Sequence, residues 1–275
     1  VGGRLWFGTE ENGLTMYDGT QWRNWSEGLR STCIASLAVT EEAVYGVTST
    51  FRDRGGVLVY NFVEDRWSEL WPGESELSGA VSSVAVGPDG AVYFATDEGV
   101  IDVYQADGFW RHIPTDPLPA DWIVDSLVDP AGHYWVVTDC EGIWEYDGED
   151  WIIHDPDEIF SYECGHVNRI AVDVEGRLWI ATESGLYVRT PDDEWGLFDP
   201  CEGYCEFWDV AVDGSGRVWG LTGEALYLLD GGESRRFAPE AVRSRQRDRS
   251  LCLDSEGRVW ISAGEKGVVV FEGAP

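Results

Sequence analysis

The fold is decided by residues 167–190, VNRIAVDVEGRLWIATESGLYVRT. An apolar run ends in Asp173, a D-x-x-G step closes on Gly176, a second apolar run spans Leu178 to Thr182, and a third begins at Gly185. Aspartate at the start of a tight connection and glycine at its end, where positive φ is needed, turn one strand back on the next. The stretch therefore predicts three consecutive antiparallel strands. A tryptophan-led fourth segment follows at Trp195.

The same unit recurs along the chain. Its second strand appears around Trp6, Tyr45, Tyr93, Trp135, Trp179, Trp219 and Trp260, at separations of 39, 48, 42, 44, 40 and 41 residues. Four short strands in a unit of this length describe a propeller blade. Runs such as RLWIAT are continuously apolar because a blade is covered on both faces by its neighbours. The expectation is an all-β, seven-bladed β-propeller of four-stranded antiparallel blades, forming a single domain over 1–275. Strands are labelled a to d from the axis outwards. The chain then starts at a b strand and ends after a c strand. The end blades are three-stranded unless strands outside the segment complete them. The sixth unit departs from the pattern: sixteen residues after Trp219, where other units have tryptophan, stands Arg235.

The 275 residues carry 51 Asp and Glu against 19 Lys and Arg, a formal charge of −32. Such a surface repels phosphate backbones and anionic membranes, so nucleic-acid binding and membrane insertion are excluded as expectations. Six cysteines favour an exported protein, extracellular or periplasmic. Cys140 and Cys164 fall in loops of adjacent blades on one side, and Cys201 and Cys205 in one loop. The favoured pairings are 140 with 164 and 201 with 205, with 164 to 205 as the alternative. Cys252 occupies a small-residue slot of an inner strand and is expected as a buried free thiol; Cys33 has no evident partner. No metal is expected in the D-x-x-G carboxylates, since one aspartate per blade cannot converge on an ion, and no cofactor is expected.

With GRLWFGTEENGL, RLWIATESGL and VNRIAVDVEGRLW in view, the chain resembles the two-component regulator propeller repeat. That resemblance implies an extracellular or periplasmic sensor propeller. More distantly the repeats are similar to the streptogramin lyase propeller, whose activity implies a histidine base and Mg²⁺. His166 with Glu163 imitates part of that arrangement, without a matching cluster of His and Glu across adjacent blades.

Strand alternation puts the b-to-c and d-to-a loops on one face, where the long irregular connections lie, and short uniform turns on the other. The candidate ligand site is on the irregular face. Its arginines are Arg52, Arg54, Arg243, Arg245 and Arg247, with Arg249 approaching the same face, and a guanidinium fork matches carboxylate or sulfate. Its aromatics are Phe51, Trp122, Tyr162 and Trp208, which offer stacking platforms. His166 enters an inner strand there, whereas His112, His133 and His154 are expected at the surface. Three functions follow: a non-catalytic exported sensing or binding propeller for an anionic glycan or small molecule, a protein-interaction or surface-assembly module forming homo-oligomers, or a lyase-like enzyme, the last least favoured.

Overall fold

The protein's structure is a computed structural model that describes residues 3–49, 55–115, 123–139, 141–154, 159, 166–198, 200, 205–238, 240, 242, 249–262 and 267–272. It is a seven-bladed β-propeller. Blade 1 comprises Leu5–Gly8, Leu14–Tyr17 and Trp22–Trp25; blade 2, Ile34–Val39, Ala43–Thr48, Val57–Asn61 and Arg66–Leu70; blade 3, Val81–Val86, Val92–Thr96, Val100–Tyr104 and Trp110–Pro114. Blade 4 comprises Ile123–Val128, Tyr134–Thr138, Ile143–Tyr146 and Trp151–His154; blade 5, Val167–Val172, Leu178–Thr182, Gly185–Arg189 and Trp195–Phe198. Blade 6 comprises Phe207–Val212, Val218–Thr222, Leu226–Asp230 and Glu233–Phe237, and blade 7 Leu251–Leu253, Val259–Ser262 and Val268–Phe271. Blade 1 lacks strand a and blade 7 lacks strand d, as the repeat count implies. Among the described residues no helix is long and apolar enough to cross a membrane.

The chain forms two compact units: Val1–Thr138 with Trp144–Ile153, and Asp139–Ile143 with His154–Pro275. In each, the core lies between successive blades. In the first, Tyr45, Val57, Val84 and Phe94 interdigitate between blades 2 and 3, and Tyr93, Ile101, Tyr134 and Trp144 between blades 3 and 4. In the second, Trp179, Leu186, Phe207 and Tyr227 fill the space between blades 5 and 6, and Trp219, Leu228, Val259 and Ile261 that between blades 6 and 7. Strand b is buried along its whole length in blades 2 to 6, which accounts for its unbroken apolar sequence.

Each D-x-x-G-R-x-W sequence folds into one clasp. In blade 5 the Asp173 carboxylate accepts the backbone N–H groups of Glu175 and Arg177 on one oxygen, at 2.9 and 3.0 Å. On the other it accepts Arg177 Nε at 2.6 Å and Trp179 Nε1 at 2.8 Å. Asp213 does the same with Ser215, Arg217 and Trp219, and Asp254 with Glu256, Arg258 and Trp260. Blade 4 keeps the clasp from Asp129 to Trp135, with His133 in place of arginine. Gly132, Gly176, Gly216 and Gly257 close these turns at φ between 76° and 94°. Blades 2 and 3 have Thr40 and Gly87 where the aspartate would stand, and both carry tyrosine, Tyr45 and Tyr93, instead of tryptophan. A buried indole N–H needs an acceptor, and the aspartate supplies it. Burial alone would raise the Asp213 carboxyl, but hydrogen bonds from Ser215, Arg217 and the backbone outweigh it and hold it at about 2. Asp173 and Asp254 are lowered likewise, their burial outweighed by bonds from the tryptophan and arginine.

Inner strands of neighbouring blades are joined through side chains. All five from blades 2 to 6 are bulged at the same place, at Ile34/Ser36, Val81/Ser83, Ile123/Asp125, Val167/Arg169 and Phe207/Asp209. The bulge turns a polar residue toward the next blade: Ser83 Oγ meets Ser126 Oγ at 2.9 Å, Asn168 Nδ2 donates to the Phe207 carbonyl at 2.8 Å, and Asp209 accepts the Leu251 N–H at 2.7 Å.

Asp213→Asn removes the charge that holds Arg217 and presents an amide N–H₂ to donors. It is expected to lower unfolding free energy by about 3 kcal/mol in urea denaturation near neutral pH. A depressed carboxyl stabilises the fold above its unfolded value of 3.8 and loses that effect as pH falls toward about 2. Wild type should therefore lose about 2 kcal/mol from this group over that window, and Asp213→Asn should show a shallower acid loss.

Candidate functional site

Within the second unit the long connections leave one end of the blades. There the loop after strand b of blade 4 brings Asp139 to His166, which stands just before the inner strand of blade 5. His166 Nδ1 lies 3.0 Å from Asp139 Oδ1, and both side chains are partly exposed, at 48% and 38%. The carbonyl of His166 accepts the N–H of Glu183, from the b-to-c loop of the same blade, at 3.2 Å. His166 has φ of 26°, an uncommon conformation for a residue other than glycine. Three loop ends thus meet at one residue, Asp139 at its ring and Glu183 at its backbone carbonyl. One turn of the strand further in, Arg169 Nε lies 3.6 Å from the buried Asp209 carboxylate.

A carboxylate on Nδ1 orients a histidine and leaves Nε2 to face a ligand, which suits a hydrogen-bonded contact or proton transfer. Among the described residues no group of three or more His, Cys, Asp or Glu is arranged to hold a metal ion. Asp139, Arg169 and Asp209 were not expected at the site from sequence. Asp209 and Arg169 sit at the bulge, and only the register shift reveals that they face the neighbouring inner strand.

Of the residues expected to contact ligand, Phe51, Arg52, Arg54, Trp122, Tyr162, Arg243, Arg245 and Arg247 lie outside the described residues, as do Glu163, Cys140, Cys164 and Cys201. Cys205 is buried in the core between blades 5 and 6. Cys33 and Cys252 are free thiols. Cys252 pairs with Trp260 just as Ala211 pairs with Trp219, and burial, aided by Asp209 and Asp254, pushes its thiol up to about 12.

Four sequence expectations are corrected. Trp208 is not a loop aromatic: strand a of blade 6 starts at Phe207, and Trp208 is 8% exposed, its Nε1 buried without a hydrogen-bond partner among the described residues. Arg249 does not present its charge to solvent. It is 4% exposed, with Nε donating to the Ser262 carbonyl at 2.6 Å and Nη1 to that of Val242. Of the three histidines expected at the surface, His112 is exposed as expected, His133 is partly buried and His154 is not at the surface. His112 Nδ1 lies 2.7 Å from the buried Asp102, which also accepts from Ser78; His133 Nδ1 lies 2.6 Å from the buried Glu145; His154 is itself buried, its ring 6.0 Å from that of Trp195. The acids sit on strand c facing strand d or b, so each needs a polar partner and finds a histidine. Finally, Ser234 rather than Arg235 occupies the tryptophan register of blade 6: Ser234 pairs with Leu229 as Trp195 pairs with Arg189.

No family model matches the chain, and no curated protein matches it. Solved structures do. The extracellular domain assigned to the hybrid two-component system BT4673 of B. thetaiotaomicron superposes with a TM-score of 0.74 at 19% identity, over 99% of this chain and 37% of that one. A streptogramin B lyase gives 0.76 at 13% identity, covering 97% of this chain and 88% of that one. YCF48 bound to D1 peptide gives 0.75 at 18% identity, over all of this chain and 91% of that one. The chain spans just over a third of the length of the two-component structure it resembles. The first two are the kinds of propeller that the repeat sequence resembles, and at these identities what all three share with the chain is the fold.

Trp208→Phe removes an unpaired buried N–H while keeping a ring in place. It is expected to leave unfolding free energy within about 1 kcal/mol of wild type, whereas Trp208→Ala should cost about 3–5 kcal/mol, both read by urea denaturation.

Proposed function

We propose that the chain acts as one propeller domain, an exported ligand-sensing or binding module that holds an anionic glycan or small molecule on its loop-rich end. The observation that carries this reading is the contrast between the two ends of the blades. At one end the a-to-b turns span residues 40–42, 87–91, 129–133, 173–177, 213–217 and 254–258, and the c-to-d turns are as short. At the other, connections of 71–80, 155–166, 199–206 and 238–250 separate one blade from the next. Stereotyped turns serve the fold, whereas long variable loops on a rigid frame serve recognition. His166, oriented by Asp139, supplies a hydrogen-bonding contact there, and Arg243, Arg245 and Arg247 belong to the longest of these connections. The likeness to extracellular domains of two-component systems supports both the sensing role and an extracellular or periplasmic location.

Protein interaction is the second reading, supported by the likeness to a propeller described as bound to a peptide. Lyase chemistry draws on His166 beside Asp139 and on the streptogramin lyase likeness.

In a thermal-shift and glycan-array screen, wild type is expected to gain melting temperature with an acidic saccharide or small carboxylate. His166→Ala and the triple variant Arg243→Ala, Arg245→Ala, Arg247→Ala should each lose that response while melting normally without ligand. A response unchanged in both variants rejects the site. The export reading rests on the two cystines, Cys140 with Cys164 and Cys201 with Cys205; Cys205 is not among the free thiols. Thiol counting in denaturant without reductant should find two free thiols; six would reverse that reading.

A further inference from the structure

The crevice between blades 5 and 6, at the short-turn end of the second unit, lacks the tryptophan that covers such crevices elsewhere. In three other blades the tryptophan opening strand d covers the crevice shared with the preceding blade. Trp67 lies with its ring 5.9 Å from Trp25, Trp110 packs on the core between blades 2 and 3, and Trp151 packs on that between blades 3 and 4 and donates its Nε1–H to the Pro114 carbonyl at 3.0 Å. Trp195 likewise reaches back to His154. Tyr60 pairs with Trp67, Tyr104 with Trp110 and Arg189 with Trp195; blade 6 has the pair Leu229 and Ser234 at this position.

The preceding turn is a two-glycine hairpin. Four residues separate Leu229 from Ser234, as four separate Tyr17 from Trp22 in blade 1, but the blade 6 ladder runs one pair further and the turn itself is Gly231 and Gly232, at φ of 56° and 91°. Both φ values are positive, the geometry of a two-residue hairpin turn that glycine adopts without strain. The ring is missing, and a groove of about 280 Å³ remains over Trp179, Val188, Phe198 and Leu229. The corresponding crevice between blades 1 and 2, where Trp67 is present, has about 140 Å³.

The mouth of the groove is acidic. Asp230 and Glu233 stand directly opposite each other across the turn, and neither makes an ion pair among the described residues. Like charges facing each other across a hairpin are destabilising, so a cation placed between them is favoured. The arginine of the lining, Arg177, is already engaged by Asp173 at 2.6 Å and Glu175 at 3.3 Å. A second copy of this chain, at −32, is disfavoured as occupant by charge.

We propose that this groove receives an aromatic side chain of a partner polypeptide, with a basic residue next to it meeting Asp230 and Glu233. The aromatic takes the place that tryptophan fills in the other blades. This slot is separate from the loop-rich end and does not depend on the ligand proposed there.

The test is saturation-transfer NMR of the intact chain with the blocked dipeptides Trp-Lys and Trp-Glu and with tryptamine. Trp-Lys should bind, with Trp-Glu about tenfold weaker. Ser234→Trp restores the residue of the other blades; it should raise the melting temperature and abolish Trp-Lys binding. Ser234→Phe, a smaller filling, should weaken binding if the tryptophan variant does not fold. Asp230→Asn with Glu233→Gln should erase the preference for Trp-Lys over Trp-Glu without lowering stability. No binding of Trp-Lys to wild type, or binding unchanged in the filled variants, overturns the slot. Equal binding of Trp-Glu overturns the role of the acidic mouth. Tryptamine binding as tightly as Trp-Lys overturns the polypeptide partner in favour of a small aromatic amine.

Discussion

One buried carboxylate with four donors aimed at it organises blades 5 to 7, and blade 4 keeps three of the four. Asp173, Asp213 and Asp254 each gather two backbone N–H groups, an arginine Nε and an indole N–H. The backbone contacts set the turn, and the indole contact fixes the largest core side chain relative to that turn. The arginine lies over the tryptophan face in blades 5 and 7, with the guanidinium carbon 5.5 and 5.7 Å from the ring centre. Charge-assisted hydrogen bonds of this kind outweigh the cost of burying the carboxylate, which is why these groups remain ionised well into acid. The correlation between aspartate and tryptophan, with tyrosine where the aspartate is absent, follows from the need to satisfy the indole nitrogen.

With the short-turn end held this way, variation is confined to two places. The loop-rich end carries connections of differing length, and His166 marks where three of them converge. The outer crevice of blade 6 varies in the opposite sense, by deletion: Ser234, after a two-glycine turn, stands where blades 1 to 5 have an indole. Added loops and a missing ring are different variations on one frame, and they face away from each other along the strands.

The blade count, the letter assignment of every strand, and the three-stranded end blades were legible in the sequence because the D-x-x-G step and the apolar run repeat together, and because burial on both faces leaves no alternation to confuse. Much less of the site was legible. Trp208 reads as a loop residue because nothing in CEGYCEFWD marks that pairing begins at Phe207. Arg249 reads as part of a charged cluster although its side chain turns inward to two carbonyls. Counting sixteen residues from Trp219 lands on Arg235, since a fixed spacing cannot register a connection one residue shorter than that of blade 5; only the ladder shows Ser234 in the tryptophan place. Partners that depend on which face a strand presents, such as Asp102 with His112 or Asp209 with Arg169, emerge only once pairing and bulges are known.

Every sheet described here is made from strands that follow one another directly along the chain. No strand has to wait for a distant partner, so a nascent polypeptide can zip each blade as it emerges, in order from the N-terminus. The face of the most recently completed blade stays greasy and uncovered until the next arrives, because that is where Phe94, Tyr134, Phe207 and their like are buried. Pauses during synthesis or translocation would therefore be most hazardous between blades, when one such face is waiting for its neighbour.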